Sequence, residues 1–182
     1  MARAEPRLNR DPAGSTRSRI GSGQPSNWRV WNLITNANCV ARAAGRCTEM
    51  PVELITEGLF IQPNRVFIIP EQRDLHVLDG AFRLKPISKP RGWPDVITVF
   101  LRSLTQYWGG KIIAVIVSGY DGDGAAALCG IREVGGITIA QKLETAGQPD
   151  MPQSAIASGC IDFVLSPEGI AQEIIRIARA EP

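Results

Sequence analysis

The sequence predicts an α/β domain: a doubly wound, mostly parallel sheet with helices on both faces and one β-hairpin, its N-terminal strands missing or replaced. Three observations carry this expectation. Short apolar runs ("RVFIIP", "IIAVIVS", "ITIAQ", "IDFVLS") alternate with helical patterns, and strands with unbroken apolar sequence are those buried on both faces of a parallel sheet. Each run is closed by Gly, Pro or Ser or by a polar residue, and none approaches the length of a membrane span. Asp79-Gly80, set between alternating apolar residues, marks a type I′ turn and hence a hairpin.

The elements follow in order. Residues 1–28 are rich in Pro, Gly, Ser and Arg and read as a disordered tail, leaving 29–182 as the folded domain. The stretch "ANCVARAAGRC" suits an amphipathic helix with Val40, Ala43, Ala44 and Cys47 on one face. A short strand lies in "MPVELITEG", a second in "RVFIIP", and the hairpin in "LHVLDGAFRL". In "PDVITVFLRSLTQYWGG", residues Val96, Val99, Phe100, Leu104 and Trp108 have helical spacing, and Gly109-Gly110 stops the helix. The buried strand "IIAVIVS", the helix "AAALCGIREVGG", the strand "ITIAQ", the short helix "MPQSAIASG" and the strand "IDFVLS" come next. Ser166 then caps a last helix that has Pro167 in its first turn.

Size and charge exclude several classes. The chain has 182 residues and 44% hydrophobic content, which fits one ordinary domain with a core. Residues 1–30 hold six Arg against Glu5 and Asp11, a net +4; the whole chain is +2, so the remainder is −2. The basic character belongs to the tail, and the folded part offers no basic face for nucleic acid. Without a secretory h-region or a span, the cytoplasm is the expected compartment, with no membrane insertion. Cys39, Cys47, Cys129 and Cys160 show no CxxC spacing and there is one His, so no metal site is expected and the cysteines read as isolated buried thiols.

The stretch that asks for a function is "VSGYDGDGAAAL", residues 117–128, where Asp121 and Asp123 stand among Gly119, Gly122 and Gly124 directly after a buried strand. Ligands and catalytic groups gather at the carboxyl ends of parallel strands, and glycine allows close approach there. The alternative reading is that these aspartates cap the helix that follows. An EF-hand lacks its closing Glu here, and GxGxxG is absent.

"VSGYDGDGAAAL", then "GGITIAQ", then "DMPQSAIASGCIDFVLSPEGIAQEI" resemble, in order and separation, the C-terminal half of the CheB family, the chemotaxis protein-glutamate methylesterases. The middle stretches "GLFIQPNRVFIIPEQRDLHVLDGAFRL" and "PDVITVFLRSL" resemble it too, so the likeness runs from about Met50 to the end. The resemblance implies a domain, incomplete at its N-terminal end, that hydrolyses glutamate methyl esters on methyl-accepting chemotaxis receptors without a cofactor. It implies a Ser-His-Asp triad in which Asp123 is the acid that orients the imidazole, and an oxyanion turn at Gly119 and Tyr120. Asp121 stands where the family often has Gly or another small residue and is a weaker candidate.

The chain departs from that pattern at two places. The family's nucleophile sits in a "GASTGG"-type turn, absent here; Ser22 in "IGSGQPS" lies between glycines, but no apolar strand precedes it. The family's His stands in a "QHMP"-like stretch, and the corresponding region here reads "RVWNLITNAN". The one histidine, His76, lies in the hairpin, where alternation makes it an ordinary sheet residue. With no receiver-like stretch read ahead of the esterase-like part, phosphorylation control in cis is not expected. The expectation is therefore a methylesterase domain crippled by loss of Ser and His, a loss that costs on the order of 10⁴ to 10⁶ in turnover. The alternatives are a non-catalytic signalling or binding module that keeps the recognition face, and a structural remnant.

Overall fold

The computed structural model describes residues 32–34, 49–89, 94–107 and 112–179. The tail at 1–28, the helix read at 37–47, Ser22 and the Gly109-Gly110 stop lie outside the described residues. Two parallel sheets and a hairpin form the α/β fold. In the first sheet β1 (Asn32–Ile34) and β2 (Val52–Leu54) flank β3 (Val66–Ile68), all parallel. β4 (Arg73–Leu78) and β5 (Ala81–Pro86) form the antiparallel hairpin. Its turn is the expected one: Asp79 and Gly80 both have positive φ, at 52° and 73°, as type I′ requires.

α1 (Val96–Tyr107) then leads to the second sheet, β6 (Ile113–Ile116), β7 (Ile137–Gln141) and β8 (Phe163–Leu165), parallel and in that spatial order. Parallel neighbours need crossover connections. Here these hold a 3₁₀ turn (Ala125–Ala127) with α2 (Leu128–Glu133), and a second 3₁₀ turn (Leu143–Thr145) with α3 (Asp150–Ala157). α4 (Pro167–Arg179) closes the described chain. Its predicted cap is present, since the Ser166 hydroxyl accepts the Gly169 N–H at 3.3 Å. The helix expected over "AAALCGIREVGG" is shorter than its pattern, because its first turn is 3₁₀ and Gly124 at its start supplies no side-chain cap.

One core joins these parts. Ile55 and Phe67, Leu75, Val77 and Phe82 of the hairpin, Phe100 and Leu101 of α1, and Ile116, Leu128, Ile131 and Ala140 belong to one buried cluster. Phe67 and Phe82 meet edge to face, centroids 5.0 Å apart. Both edges of the hairpin make hydrogen bonds to neighbouring segments. The segment from Gly58 to Ile61 bonds along β5 through Gly58 N–H to Phe82 O, Phe82 N–H to Leu59 O and Ile61 N–H to Gly80 O. On the other side the Ser103 hydroxyl of α1 accepts the Val77 N–H at 2.6 Å. Such bonds reduce the bare edge open to unwanted strand pairing.

The cysteine expectation needs correction. Cys129 of α2 and Cys160, just after α3, form a disulfide with Cα atoms 5.1 Å apart. They are not isolated thiols: a pairing across 31 residues depends on the fold and leaves no trace in local spacing. Cys39 and Cys47 lie outside the described residues.

Candidate active site

The turn at 117–124 leaves the carboxyl end of β6, as a ligand-facing loop of a parallel sheet should. Its geometry is set from three sides. From β7, the buried Gln141 accepts the Ser118 N–H at 2.9 Å and donates its own amide to Thr145 O at 2.8 Å. From α3 and the segment before it, Gln148 O accepts the Gly119 N–H at 3.0 Å, Gln148 N–H donates to the Ser118 hydroxyl at 2.9 Å, and Met151 N–H donates to Gly119 O at 3.1 Å. On the same side, Ser154 Oγ of α3 lies so close to Gly122 that a Cβ there would stand 2.9 Å away. The "TIAQ" and "DMPQSAI" stretches therefore supply the walls against which the glycine turn is folded.

The third side concerns Asp123. Its two carboxylate oxygens accept the N–H groups of Ile97, at 2.7 Å, and Thr98, at 2.9 Å. These are among the four N–H groups of α1 that have no acceptor within the helix, and a carboxylate at a helix N-terminus is favoured by the helix dipole as well. The bond is returned: the buried Thr98 hydroxyl accepts the Gly124 N–H at 2.8 Å. The capping alternative is thus realised on a different helix, one that begins 27 residues earlier in the chain, instead of the helix that follows. Each carboxylate oxygen keeps a second acceptor direction. Asp121 serves the turn itself, its φ at 65° and its Oδ1 accepting the Asp123 N–H at 2.7 Å.

The other candidates are placed as follows. Gly119 donates its N–H to Gln148 O, so one of the two donors expected for an oxyanion turn is already engaged. Tyr120 projects outward, 60% exposed, and Val117 is 47% exposed on the same turn. His76 lies on β4 opposite Arg83. Burial and the nearby Lys85 charge hold its pKa below the ordinary imidazole value, against a smaller opposing pull from Asp74. None of these neighbours belongs to the Asp123 turn, in keeping with the reading of His76 as an ordinary sheet residue. Among the described residues no group of three or more His, Cys, Asp or Glu could hold a metal ion. No helix among them is long and apolar enough to cross a membrane.

Sequence reasoning missed Gln141 and Thr98 as supports of this site. A signal for the first exists: an amide that ends an otherwise apolar buried strand must find partners. Thr98 gives none, because its contact is with a turn far along the chain.

The chain matches the CheB methylesterase family over residues 35–174. It is 31% identical, over 136 residues, to protein-glutamate methylesterase/protein-glutamine glutaminase 3 of Anaeromyxobacter dehalogenans (strain 2CP-C), covering 74% of this chain and 40% of that protein. It is 31% identical over 147 residues to the corresponding protein of the group 3 operon of Rhizobium meliloti (strain 1021), covering 77% and 40%. The chain therefore spans about 40% of the length of these curated relatives. Its fold is similar to the crystal structure of the Thermotoga maritima CheB methylesterase catalytic domain, with a TM-score of 0.72 and 26% identity, covering 84% of this chain and 86% of that one.

Proposed function

Because this chain belongs to the CheB methylesterase family, we propose that it is a receptor-directed domain of the protein-glutamate methylesterase type, its own hydrolytic step crippled. The substrates would be glutamate methyl esters on methyl-accepting chemotaxis receptors, met in the cytoplasm. Asp123 would be the triad acid by descent, and Tyr120, with Gly119 beside it, would line the ester. The observation that carries this reading is the state of Asp123: it stands on the glycine turn at the end of β6, and both its oxygens serve α1. The sequence's one imidazole, His76, has its electrostatic neighbours on the hairpin. A Ser attack needs a base of near-neutral pKa within hydrogen-bond reach, and the hydrogen bonds of Asp123 among the described residues include no imidazole.

The second reading, a non-catalytic binding module, is favoured by the exposed Val117 and Tyr120 on the rim of the same turn. An apolar and aromatic rim suits a helical receptor surface whether or not a bond is broken. One experiment separates the readings: methanol release from methylated receptor fragment, run beside binding of the same fragment. Binding with a slow but protein-dependent release favours the crippled esterase. Binding with no release above the buffer rate favours the module. Turnover of about 1 s⁻¹ or more, ordinary for an enzyme, contradicts both, and failure to bind removes the receptor from the account.

A further inference from the structure

We propose that Cys129 and Cys160 are a reversible thiol–disulfide modification site whose oxidation clamps α2 to the segment leaving α3 and so stiffens the walls of the Asp123 turn. The pair is placed for exchange chemistry. The Cα separation of 5.1 Å suits a disulfide, Cys129 is exposed and Cys160 half-buried, so a small reagent can reach one sulfur without unfolding the domain. In compartments kept reduced by thiols such a bond is not held permanently, and exposed pairs are the ones that exchange.

The position gives the bond its consequence. α2 follows the Asp123 turn after a single 3₁₀ turn, and Cys160 lies three residues beyond α3, the helix whose Met151 and Ser154 pack against Gly119 and Gly122. The loop closed by the disulfide holds β7 as well, with the Gln141 that anchors Ser118. Beyond the core packing that Leu128 and Ile131 of α2 share with Ala155, Cys160 and Ile161, the polar ties of α2 to this segment are the half-exposed ion pair of Arg132 Nε with Asp162 Oδ1 at 3.0 Å and a long contact of Arg132 with Gly159 O at 3.5 Å. Exposed contacts of this kind contribute little, so closing the loop changes the local balance.

The oxidant is a low-molecular-weight disulfide such as oxidised glutathione. The thiolate of one cysteine attacks it, the reagent's S–S bond breaks, and one thiol leaves. The second cysteine then attacks the resulting mixed disulfide, the protein S–S bond forms, and the second thiol leaves with the second proton. The protein pair loses two electrons, and the reagent is reduced to two thiols.

The test equilibrates the full chain in glutathione buffers of stepped ratio, followed by thiol alkylation, peptide mass mapping and thermal unfolding. The expected result is a reversible transition between alkylated Cys129 and Cys160 and a peptide pair linked at those residues. The oxidised form should melt higher by roughly 5–10 °C and show slower amide exchange over 118–124, 128–133 and 157–162. Cys129→Ser should abolish both the link and the melting difference. If that variant fails to fold, the reduced and oxidised parent proteins still decide. The proposal is overturned if either cysteine stays free or remains a glutathione adduct under oxidising conditions, if either pairs with Cys39 or Cys47, or if the link forms with no change in melting or exchange.

Discussion

At the scale of single residues the turn tolerates little. Gly124 has φ 92°, and a Cβ there would stand 2.9 Å from Ile97 Cγ2 and 3.1 Å from Ile116 Cδ1. Ile116 is buried in the core and Ile97 packs against it, so both would have to shift. Gly124→Ala should therefore cost about 2–4 kcal/mol in chemical denaturation, joining left-handed strain to overpacking. His76 gives a prediction with a sign. Its pKa is lowered in the fold, so the unfolded chain takes up a proton first as pH falls below the ordinary value of about 6.5. Stability from this group is complete above that value and declines as pH drops toward the lowered one. The denaturation midpoint should fall between pH 7.5 and pH 5.5, and His76→Gln should flatten part of that fall. An unchanged slope in the variant would show that other groups cause it.

Among the elements, polar side chains at the joints matter more than their number suggests. The Ser103 hydroxyl accepts the Val77 N–H from the α1 side of the hairpin. Ser103→Ala leaves that donor buried without a partner and should cost about 1–3 kcal/mol, with faster exchange of the Val77 amide as the readout. Gln141→Ala removes an acceptor from Ser118 and a donor from Thr145; a loss of about 2–3 kcal/mol is expected, with exchange rising at 118–119 while the distant hairpin is unaffected. These joints explain what could be read from the sequence. Strands β3, β6, β7 and β8, the type I′ hairpin, α1 and the Ser166 cap were legible, because each is written in local periodicity or a local turn signal. The length of α2, the Cys129–Cys160 bond and the Asp123–Ile97 contact were not, because each depends on a partner many residues away.

For the whole molecule, the family's motifs serve folding as much as chemistry. The Asp-Gly-Ala turn, read first as a catalytic feature, is where the β6–β8 sheet grips the N-terminus of α1, and α1 in turn covers the hairpin. A family match over 35–174 is compatible with this, since the same residues hold the fold. The central claim is that Asp123 acts here as the cap of α1, and equilibrium unfolding of Asp123→Ala beside the parent protein tests it most directly. The account predicts a loss of about 2 kcal/mol, with a smaller loss for Asp123→Asn, whose amide keeps one acceptor oxygen, and loss of amide protection at Ile97 and Thr98. An Asp123→Ala protein within about 0.5 kcal/mol of the parent, with both amides still protected, would contradict it.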